Sequence, residues 1–358
     1  MHTAGFHGSY SPTDVTFLLR RMQLDNTSVE AKERLIQTGQ RHYSEMLTIE
    51  SPPSPEHLTL YQQALADGLA RLATEVQTLA VALQQRRPHR PIILVSFVRA
   101  GVPLGVLLVR ALRDLGVEST HYGISIIRDK GIDHAALADI EQQHGFDNLV
   151  FVDGWVGKGA IHQQLTASLG SRYPDEIPFV TLADPTGKAW LAASSEDWLI
   201  PFGILGATVS GLVSRSVLPS DAGWHGCMHY EHLQAHDVSN AFVTTVDQYR
   251  RQNVATQPIA PLQWSTTTRN ALKQTAAATI CHLAETHNIQ NLNRIKPGIA
   301  EATRAVMRRV PEHILVQDVD DPNIRLLRYL ATSRGIRLQA VGNQLTPYRA
   351  ITIIQKAV

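Results

Sequence analysis

Two segments of the sequence place charged side chains among glycines directly after apolar runs, a combination that can hold an anionic ligand. The first is Arg99-Ala100-Gly101, which follows the apolar run 92–97 and leads into a helical pattern. Glycine lets the backbone approach a ligand, and the amino terminus of a helix presents free N–H groups to phosphate. Arg99 can add a bidentate contact to phosphate oxygens. A glycine turn into a helix is more often structural, so this segment is a weak signal by itself.

The second segment covers residues 153–160 and also follows an apolar run. A carboxylate at a strand end, here Asp153, can accept hydrogen bonds from ribose hydroxyls. The backbone at Gly157 and Gly159 could surround a 5-phosphate, while Lys158 supplies a positive charge. The glycine spacing differs from that of a Walker motif, which argues against a nucleotide triphosphatase loop. The segment therefore predicts a cradle for a phosphorylated ribose.

The region around both segments has the pattern of a doubly wound α/β fold with a parallel sheet. Helical spacing of apolar residues predicts a long helix over 58–85 and crossover helices over 104–115 and 160–168. The predicted strands occupy residues 92–97, 119–127, 149–152, 179–183 and 198–205. Ligands of such sheets bind at the carboxyl ends of the strands, so both glycine segments are expected at one edge of the sheet.

A different kind of site is indicated around Cys227, one of only two cysteines in the chain. A thiolate next to an imidazolium could act as a nucleophile, which would make the protein a cysteine hydrolase. The candidate bases are His225, His229, His232 and His236. The His-x-Cys-x-His spacing could also bind zinc, although no fourth ligand is evident, and no metal site is predicted. A structural or substrate-shaping cysteine is the third interpretation, because proteolytic dyads are usually assembled from distant parts of a chain.

Positive charge is concentrated towards the end of the sequence. Residues 255–358 contain 13 Lys plus Arg and 6 Asp plus Glu, a segment charge of about +7, whereas the whole chain carries only +1. Such clustering suits a module that binds a polyanion, and a well-solvated surface is the alternative. The length of 358 residues exceeds one hydrophobic core, and the prolines in 255–261 mark a boundary. We therefore predict two domains, at residues 1–254 and 262–358.

The predicted second domain alternates helices and strands, which indicates a small α/β sandwich. Helices are predicted over 267–286 and 324–333, and strands over 314–317 and 337–341. A further helical stretch follows Lys296 and Gly298 and places Arg304 and Arg308 on one face, four residues apart. That face is a candidate for phosphate contacts, and an ordinary solvated helix is the alternative.

The composition of the sequence predicts the cellular location of the protein. The first residues lack the charged and apolar regions of a signal peptide, and no apolar stretch approaches the roughly 20 residues that cross a bilayer. Two cysteines cannot form a disulfide framework, which agrees with a reducing compartment. The expected location is the cytoplasm without a membrane partner, and a homo-oligomeric state is left open.

The two glycine segments resemble the pyrophosphate and ribose-phosphate loops of type I phosphoribosyltransferases. Residues 6–250 more specifically resemble the StiP family, which is catalogued as a cysteine protease yet regarded as phosphoribosyltransferase-like, and is often encoded near tellurite-resistance genes. The match is carried by Phe6-His7-Gly8-Ser9-Tyr10, His42-Tyr43-Ser44-Glu45 and Asp153-Gly154-Trp155. The fold implied is a type I phosphoribosyltransferase-like parallel sheet domain.

The resemblance also implies roles for particular residues. Asp153 would bind the ribose hydroxyls of phosphoribosyl pyrophosphate, and the 5-phosphate would be held by Lys158, Gly159 and Ala160. Arg99, Ala100 and Gly101 would face pyrophosphate, with Mg²⁺ arriving together with the substrate. Asp184 would contact the accepting base, and Arg128 and Lys130 would lie on a mobile cover. One acid stands at Asp153 where transferases usually have two, which favours binding over transfer.

Residues 265–355 resemble the Pelota-like RNA-binding domains. Gly298, Glu301 and Arg304 occupy the spacing of that family's glycine, glutamate and basic residue, whereas Ala300 replaces the asparagine of kink-turn binders. The resemblance implies RNA contacts through phosphates. The residues to which it assigns RNA binding are Lys296, Gly298, Glu301, Arg304 and Arg308.

Three functions are consistent with these observations. The first is a phosphoribosyltransferase, an enzyme of the glycosyltransferase class, with an appended RNA-binding module. The second is a cysteine hydrolase that uses Cys227 as its nucleophile. The third is a non-catalytic adaptor that senses a nucleotide and binds RNA.

Overall fold

A computed structural model describes residues 5–173 and 175–356 of the chain. The first four residues of the first predicted domain and the last two of the second lie outside the described residues. Within the described ranges, every helix is too short or too polar to span a lipid bilayer.

The centre of the first domain is a sheet of six strands, all of whose pairings are parallel. In spatial order the strands are β1 (Thr16–Phe17), β4 (Ser119–Ile124), β3 (Ile92–Phe97), β7 (Leu149–Trp155), β8 (Phe179–Ala183) and β9 (Leu191–Ser194). The four central strands lie where the apolar runs predict them, because each run is buried on both faces of the sheet. The predicted sheet is confirmed.

The prediction of a strand over 198–205 is wrong. The segment enters the core as a loop and the one-turn helix α6 (Pro201–Ile204), and β9 is the edge strand instead. Proline at the first helical position fits the start of a helix and lacks the N–H that a strand ladder needs. The segment is apolar because it is buried between elements, so its composition alone did not distinguish a strand from a packed turn.

Helices cover both faces of this sheet. One face packs against α2 (Pro55–Arg86), α3 (Gly101–Asp114) and α7 (Ser239–Asn253), and the other against α4 (His134–His144) and α5 (Ala160–Leu169). The helix α2 is the predicted long helix, and it begins after Ser54, whose hydroxyl accepts a hydrogen bond from the His57 N–H at 3.2 Å. The other short elements are β2 (Arg20–Arg21), α1 (Val29–Gln37), β5 (Ile126–Ile127), β6 (Gly131–Ile132) and β10 (Gly226–Cys227).

The second domain is a mixed four-stranded sheet with helices on both faces. The strands in spatial order are β11 (Ile295–Pro297), β14 (Ala350–Ile354), β12 (Pro311–Val316) and β13 (Arg337–Ala340). The helix α8 (Thr266–Thr286) packs on one face, and α9 (Ile299–Arg308) and α10 (Arg325–Ser333) pack on the other. This is the predicted α/β sandwich, and the fold class is confirmed for both domains.

The two domains share one hydrophobic core. Ile299 and Val306 of α9 belong to the same buried cluster as Phe202 and Ile204 of α6. Full burial of an aliphatic side chain stabilises by about 1.5–3 kcal/mol relative to exposure, so this contact alone contributes several kcal/mol. The orientation of α9 against the first domain is therefore fixed by packing.

A buried carboxylate fixes the start of α9 more specifically. Asp197 of the first domain accepts a hydrogen bond from the Ile299 N–H at 2.9 Å and another from the Arg349 N–H at 2.8 Å. Gly298, just before the helix, has a positive φ of 87°. The unpaired amides at the start of a helix favour a negative charge, and here the other domain supplies it.

Replacing Asp197 by Ala should loosen the junction of the domains. Two buried N–H groups would lose their acceptor, which costs about 1–3 kcal/mol each. We expect the thermal midpoint to fall by roughly 5–10 °C, following the usual conversion for chains of this size. Asp320→Ala, which removes an exposed carboxylate in the second domain, is the control. Equal midpoints for the two variants would contradict the role assigned to Asp197.

Candidate functional site

The Arg99 segment forms a tight turn between β3 and α3. A side chain at Gly101 would place its Cβ 2.2 Å from the carbonyl oxygen of Val152, so only glycine fits. Arg99 is buried and donates hydrogen bonds to the Val213 carbonyl at 3.2 Å and to the Glu50 carboxylate. The strand ends of β3 and β7 therefore meet at one edge of the sheet, as the sequence predicted.

The second glycine segment is held between the two domains. A Cβ at Gly157 would lie 2.7 Å from Cγ of Glu301, and Gly159 adopts a positive φ of 86°. The amine of Lys158 donates a hydrogen bond to the carbonyl of Leu292 in the second domain. Burial lowers the pKa of this lysine to about 8. The loop that was predicted to surround a phosphate is thus also part of the domain contact.

The residues predicted to bind RNA face this loop. Arg304 lies with its guanidinium carbon 4.4 Å from the centre of the Trp155 ring, and Arg308 donates to the Glu50 carboxylate at 3.1 Å. Lys296 is buried, and its desolvation, together with Arg128, lowers its pKa to about 7. The face of α9 that resembles an RNA-binding surface is therefore a wall of the site at the sheet edge.

Together these elements enclose an inner cavity of about 190 Å³. Seven cationic side chains line it, against two carboxylates, Asp153 and Glu301. The cations are Arg99, Arg128, Lys158, Arg215, Lys296, Arg304 and Arg308. Positive charges gathered in a partly buried space repel one another and lose solvation. The inner cavity therefore carries an excess of positive charge, which favours an anionic ligand.

Unpaired donors support the same conclusion. Among the described residues, the Nε atoms of Arg99, Arg128 and Arg304 are buried without a hydrogen-bond partner. A buried donor left without an acceptor costs about 1–3 kcal/mol. Three such donors around one small space are explained most simply by an acceptor that binds there.

Asp153 is the acidic group at the floor of this cavity. Its Oδ1 accepts a hydrogen bond from the Gly154 N–H at 2.8 Å. Burial raises the pKa of this carboxyl to about 7; Glu301 acts in the same direction, whereas Arg304 opposes the rise. Near neutral pH the carboxyl can therefore both donate and accept hydrogen bonds, as recognition of a pair of hydroxyls requires.

Three of the residues predicted for the ribose-phosphate site do not line the cavity: Gly101, which forms the turn before α3, Lys130 and Asp184. Asp184 is buried and accepts hydrogen bonds from Thr186 and Ala189 within its own loop, so it serves the local backbone here. Lys130 is exposed on the hairpin of β5 and β6. Its neighbour Arg128 does line the cavity, and the Arg128 N–H donates to the Tyr43 hydroxyl at 2.7 Å.

Two further residues of the site were not predicted. Glu50 and Arg215 come from segments without glycine turns or a strand pattern, so no local signal marked them. Burial alone would raise the pKa of Glu50, but Arg99 and Arg308 hold it well below its usual range. Arg215 donates to the Tyr43 carbonyl at 2.6 Å and lies 5.2 Å from the Tyr43 ring centre.

Cys227 occupies a different environment. Its side chain is fully buried in the hydrophobic core, and burial raises the pKa of the thiol to about 12. Nearby, Nδ1 of His225 lies 2.7 Å from the Ser125 hydroxyl, and His232 bonds the Glu50 carbonyl at 2.8 Å. In the described part of the chain, no three His, Cys, Asp or Glu side chains converge as a metal site would require. In this conformation the thiol of Cys227 is therefore not activated as a nucleophile.

The fold and site define a protein in which a parallel α/β domain and a small α/β sandwich enclose a basic cavity. The chain belongs to the StiP family. The family model described as "Tellurite-like stress resistance cysteine protease StiP" matches residues 8–247, and the model described as "PELOTA RNA binding domain" matches residues 274–356. A relative from Acinetobacter baylyi, named "Cysteine protease StiP", is 49% identical over 98% of this chain and 95% of its own length.

Similar solved structures include two of hypoxanthine phosphoribosyltransferase from Trypanosoma cruzi. A point mutant of that enzyme, complexed with the product IMP, gives a TM-score of 0.28 at 18% identity, covering 35% of this chain and 68% of that one. The 1.4 Å crystal structure gives 0.29 at 16% identity, covering 35% and 77%. Likeness of this extent decides neither fold nor function.

These findings correct one expectation. The assignment of the chain as a phosphoribosyltransferase is wrong, because the family and the relative are named for a cysteine protease, which is a hydrolase. The assignment to the StiP family and to a Pelota-type second domain is confirmed.

Anion binding in the inner cavity should weaken as the pH rises. Between pH 6 and 8, Asp153 gains a negative charge and Lys296 loses a positive one, so both changes disfavour an anion. Sulfate is a suitable probe because its own charge is constant over this range. We expect its dissociation constant, measured by calorimetry, to rise about tenfold. The double variant Asp153→Asn, Lys296→Met should remove most of this dependence and leave the part due to Lys158, whose pKa is about 8. An unchanged pH profile in the double variant would contradict the assignment.

Proposed function

We propose that the inner cavity binds a phosphorylated ribose, as a free nucleotide or as part of RNA. The observation that carries the proposal is that three arginines lining the cavity with Asp153 have a buried Nε atom without a hydrogen-bond partner among the described residues. Guanidinium groups pair with phosphate oxygens, and a partly protonated carboxyl pairs with ribose hydroxyls. RNA is the proposed macromolecular partner because the second domain matches an RNA-binding family.

The role proposed for the cavity is binding and does not include transfer of phosphoribose. The groups that face the cavity can orient a phosphate and two hydroxyls. Arg304 and Lys296 supply charge, and Asp153 supplies hydrogen bonds. The link to tellurite or stress resistance suggested by the family description belongs to this proposal as well.

Arg304→Met should weaken binding and stabilise the empty protein. Arg304 has a pKa lowered to about 9 by burial and by Arg308 and Arg99, so it is a costly cation at neutral pH. We expect the thermal midpoint without ligand to rise by a few degrees, because the substitution removes a buried cation that Arg308 and Arg99 repel. Affinity for ribose 5-phosphate should fall at least about tenfold, the equivalent of one lost charge-assisted hydrogen bond.

The dissociation constants of ribose 5-phosphate, adenosine 5′-monophosphate and unphosphorylated ribose are measured by calorimetry. Arg337→Met, which removes an exposed arginine from β13, is the matched control and should bind like the unmodified protein. Failure of the unmodified protein to bind either phosphate, or equal binding of plain ribose, would reject the proposed function.

The second candidate function is hydrolysis of peptide bonds by a cysteine nucleophile. The observation that favours it is the name of the family and of the relative that is 49% identical. The chain has two cysteines, so a thiol mechanism must use Cys227 or Cys281. Cys227 is buried with a raised pKa, whereas Cys281 is exposed on α8. Catalysis by Cys227 would therefore require an opening of the core around β10.

Three single variants decide this candidate. If Cys227 is the nucleophile, Cys227→Ala abolishes cleavage of an unfolded protein substrate, whereas Cys281→Ala and Asp153→Asn retain it. Alkylation followed by mass spectrometry should then label Cys227 in the active protein, despite its burial in this structure. Cleavage that survives the loss of both cysteines would exclude a thiol mechanism.

A further inference from the structure

The inner cavity adjoins a larger space, the outer cleft, of about 900 Å³. Arg128, Ile161, Arg215 and Arg308 line both spaces. A ligand that passes between these shared side chains would reach from the inner cavity into the outer cleft. The outer cleft runs between the N-terminal segment that contains α1 and the second domain.

The outer cleft is also strongly basic. Eight cationic side chains line it, against one carboxylate, Asp129. The cations are Lys32, Arg41, Arg128, Arg215, Arg294, Arg308, Arg309 and Lys356. Four of them have acidic partners: Arg41 pairs with Glu45 at 3.6 Å, Arg294 with Glu312 at 2.7 Å, Arg308 with Glu50 at 3.1 Å, and Arg309 with Glu33. The other four cations, Lys32, Arg128, Arg215 and Lys356, outnumber the carboxylate of Asp129.

Other groups in the outer cleft suit the bases of a nucleic acid. The rings of His42 and Tyr43 lie next to each other on one wall, with centres 4.5 Å apart. Exposed side-chain amides line the opposite wall, at Asn288, Gln290, Asn291 and Asn293. Aromatic rings stack on bases, amides bond to base edges, and cations follow the phosphates.

The domain contact restricts the shape of the ligand. Glu301 and Arg304, which resemble the kink-turn binding residues, are covered by the loop at Gly157, where a Cβ would already collide with Glu301. A folded RNA duplex cannot reach this face from solvent. A single strand can pass between the walls of the outer cleft and place its end in the inner cavity.

We propose that the outer cleft binds the terminal nucleotides of a single-stranded RNA, whose 5′-phosphorylated ribose occupies the inner cavity. This inference rests on the proposed function, because it requires the inner cavity to accept the phosphorylated ribose. It adds the substrate class and assigns contacts to Arg41 and Lys356, two exposed cations of the outer cleft.

The test compares binding of 5′-phosphorylated hexa-adenylate by fluorescence anisotropy in two double variants. Arg41→Gln with Lys356→Gln removes two cations of the outer cleft. Arg90→Gln with Arg337→Gln removes two exposed cations that lie outside both spaces. Each phosphate contact on a single strand contributes about 0.7 to the slope of affinity against salt on logarithmic axes. The first variant should lower that slope by about 1.4 and weaken binding at least tenfold at low salt, and the second should change neither.

Further probes separate this inference from the proposed function. Adenosine 5′-monophosphate should bind the Arg41, Lys356 variant as it binds the unmodified protein. A 5′-phosphorylated blunt RNA duplex long and G·C-rich enough to stay paired, and hexa-adenylate without its 5′-phosphate, should both bind at least tenfold more weakly. Unchanged RNA affinity in the first variant, or equal binding of the duplex, would overturn the inference even if the mononucleotide binds. Failure of the mononucleotide to bind would reject the proposed function instead, and with it the placement of the RNA end.

Discussion

Uncompensated positive charge at the junction of the two domains governs much of this structure. Seven cations and two carboxylates line the inner cavity. The repulsion among the cations costs free energy unless other interactions offset it. Burial of α9 against the first domain and the Asp197 hydrogen bonds at its start hold the cations together in spite of their repulsion. Glu50 contacts both Arg99 and Arg308 and neutralises part of the excess positive charge. The rest of the positive charge lines the cavity.

The same packing changes the meaning of the Pelota-type domain. In isolation, the face of α9 that carries Glu301 and Arg304 would be a surface open to RNA. Here it is a wall, because the loop at Gly157 lies against it and α6 is buried beneath it. The second domain therefore completes the site of the first. The charged groups that line the site therefore come from both domains.

A reactive cysteine thiol and the basic cavity lie in different environments in this fold. A nucleophilic cysteine needs exposure or a nearby positive charge that stabilises its thiolate. Cys227 instead lies in the core, where burial raises the pKa of its thiol to about 12 although Arg21 acts in the opposite direction, while twelve cations line the inner cavity and the outer cleft. The protease name of the family and the basic cavity thus refer to different parts of the molecule, and each calls for its own experiment.

The sequence alone determined the features that depend on neighbours along the chain. Apolar runs and helical spacing located β3, β7, β8 and α2, because those patterns reflect local burial. The glycines at 101 and 157–159 marked the loops that need close backbone approach. Tertiary structure decided the rest: the turn at 198–205, the part played by Glu50, and the direction in which Arg304 points. These depend on contacts between residues far apart in the chain, and on the sum of charges around a cavity, which no local pattern records.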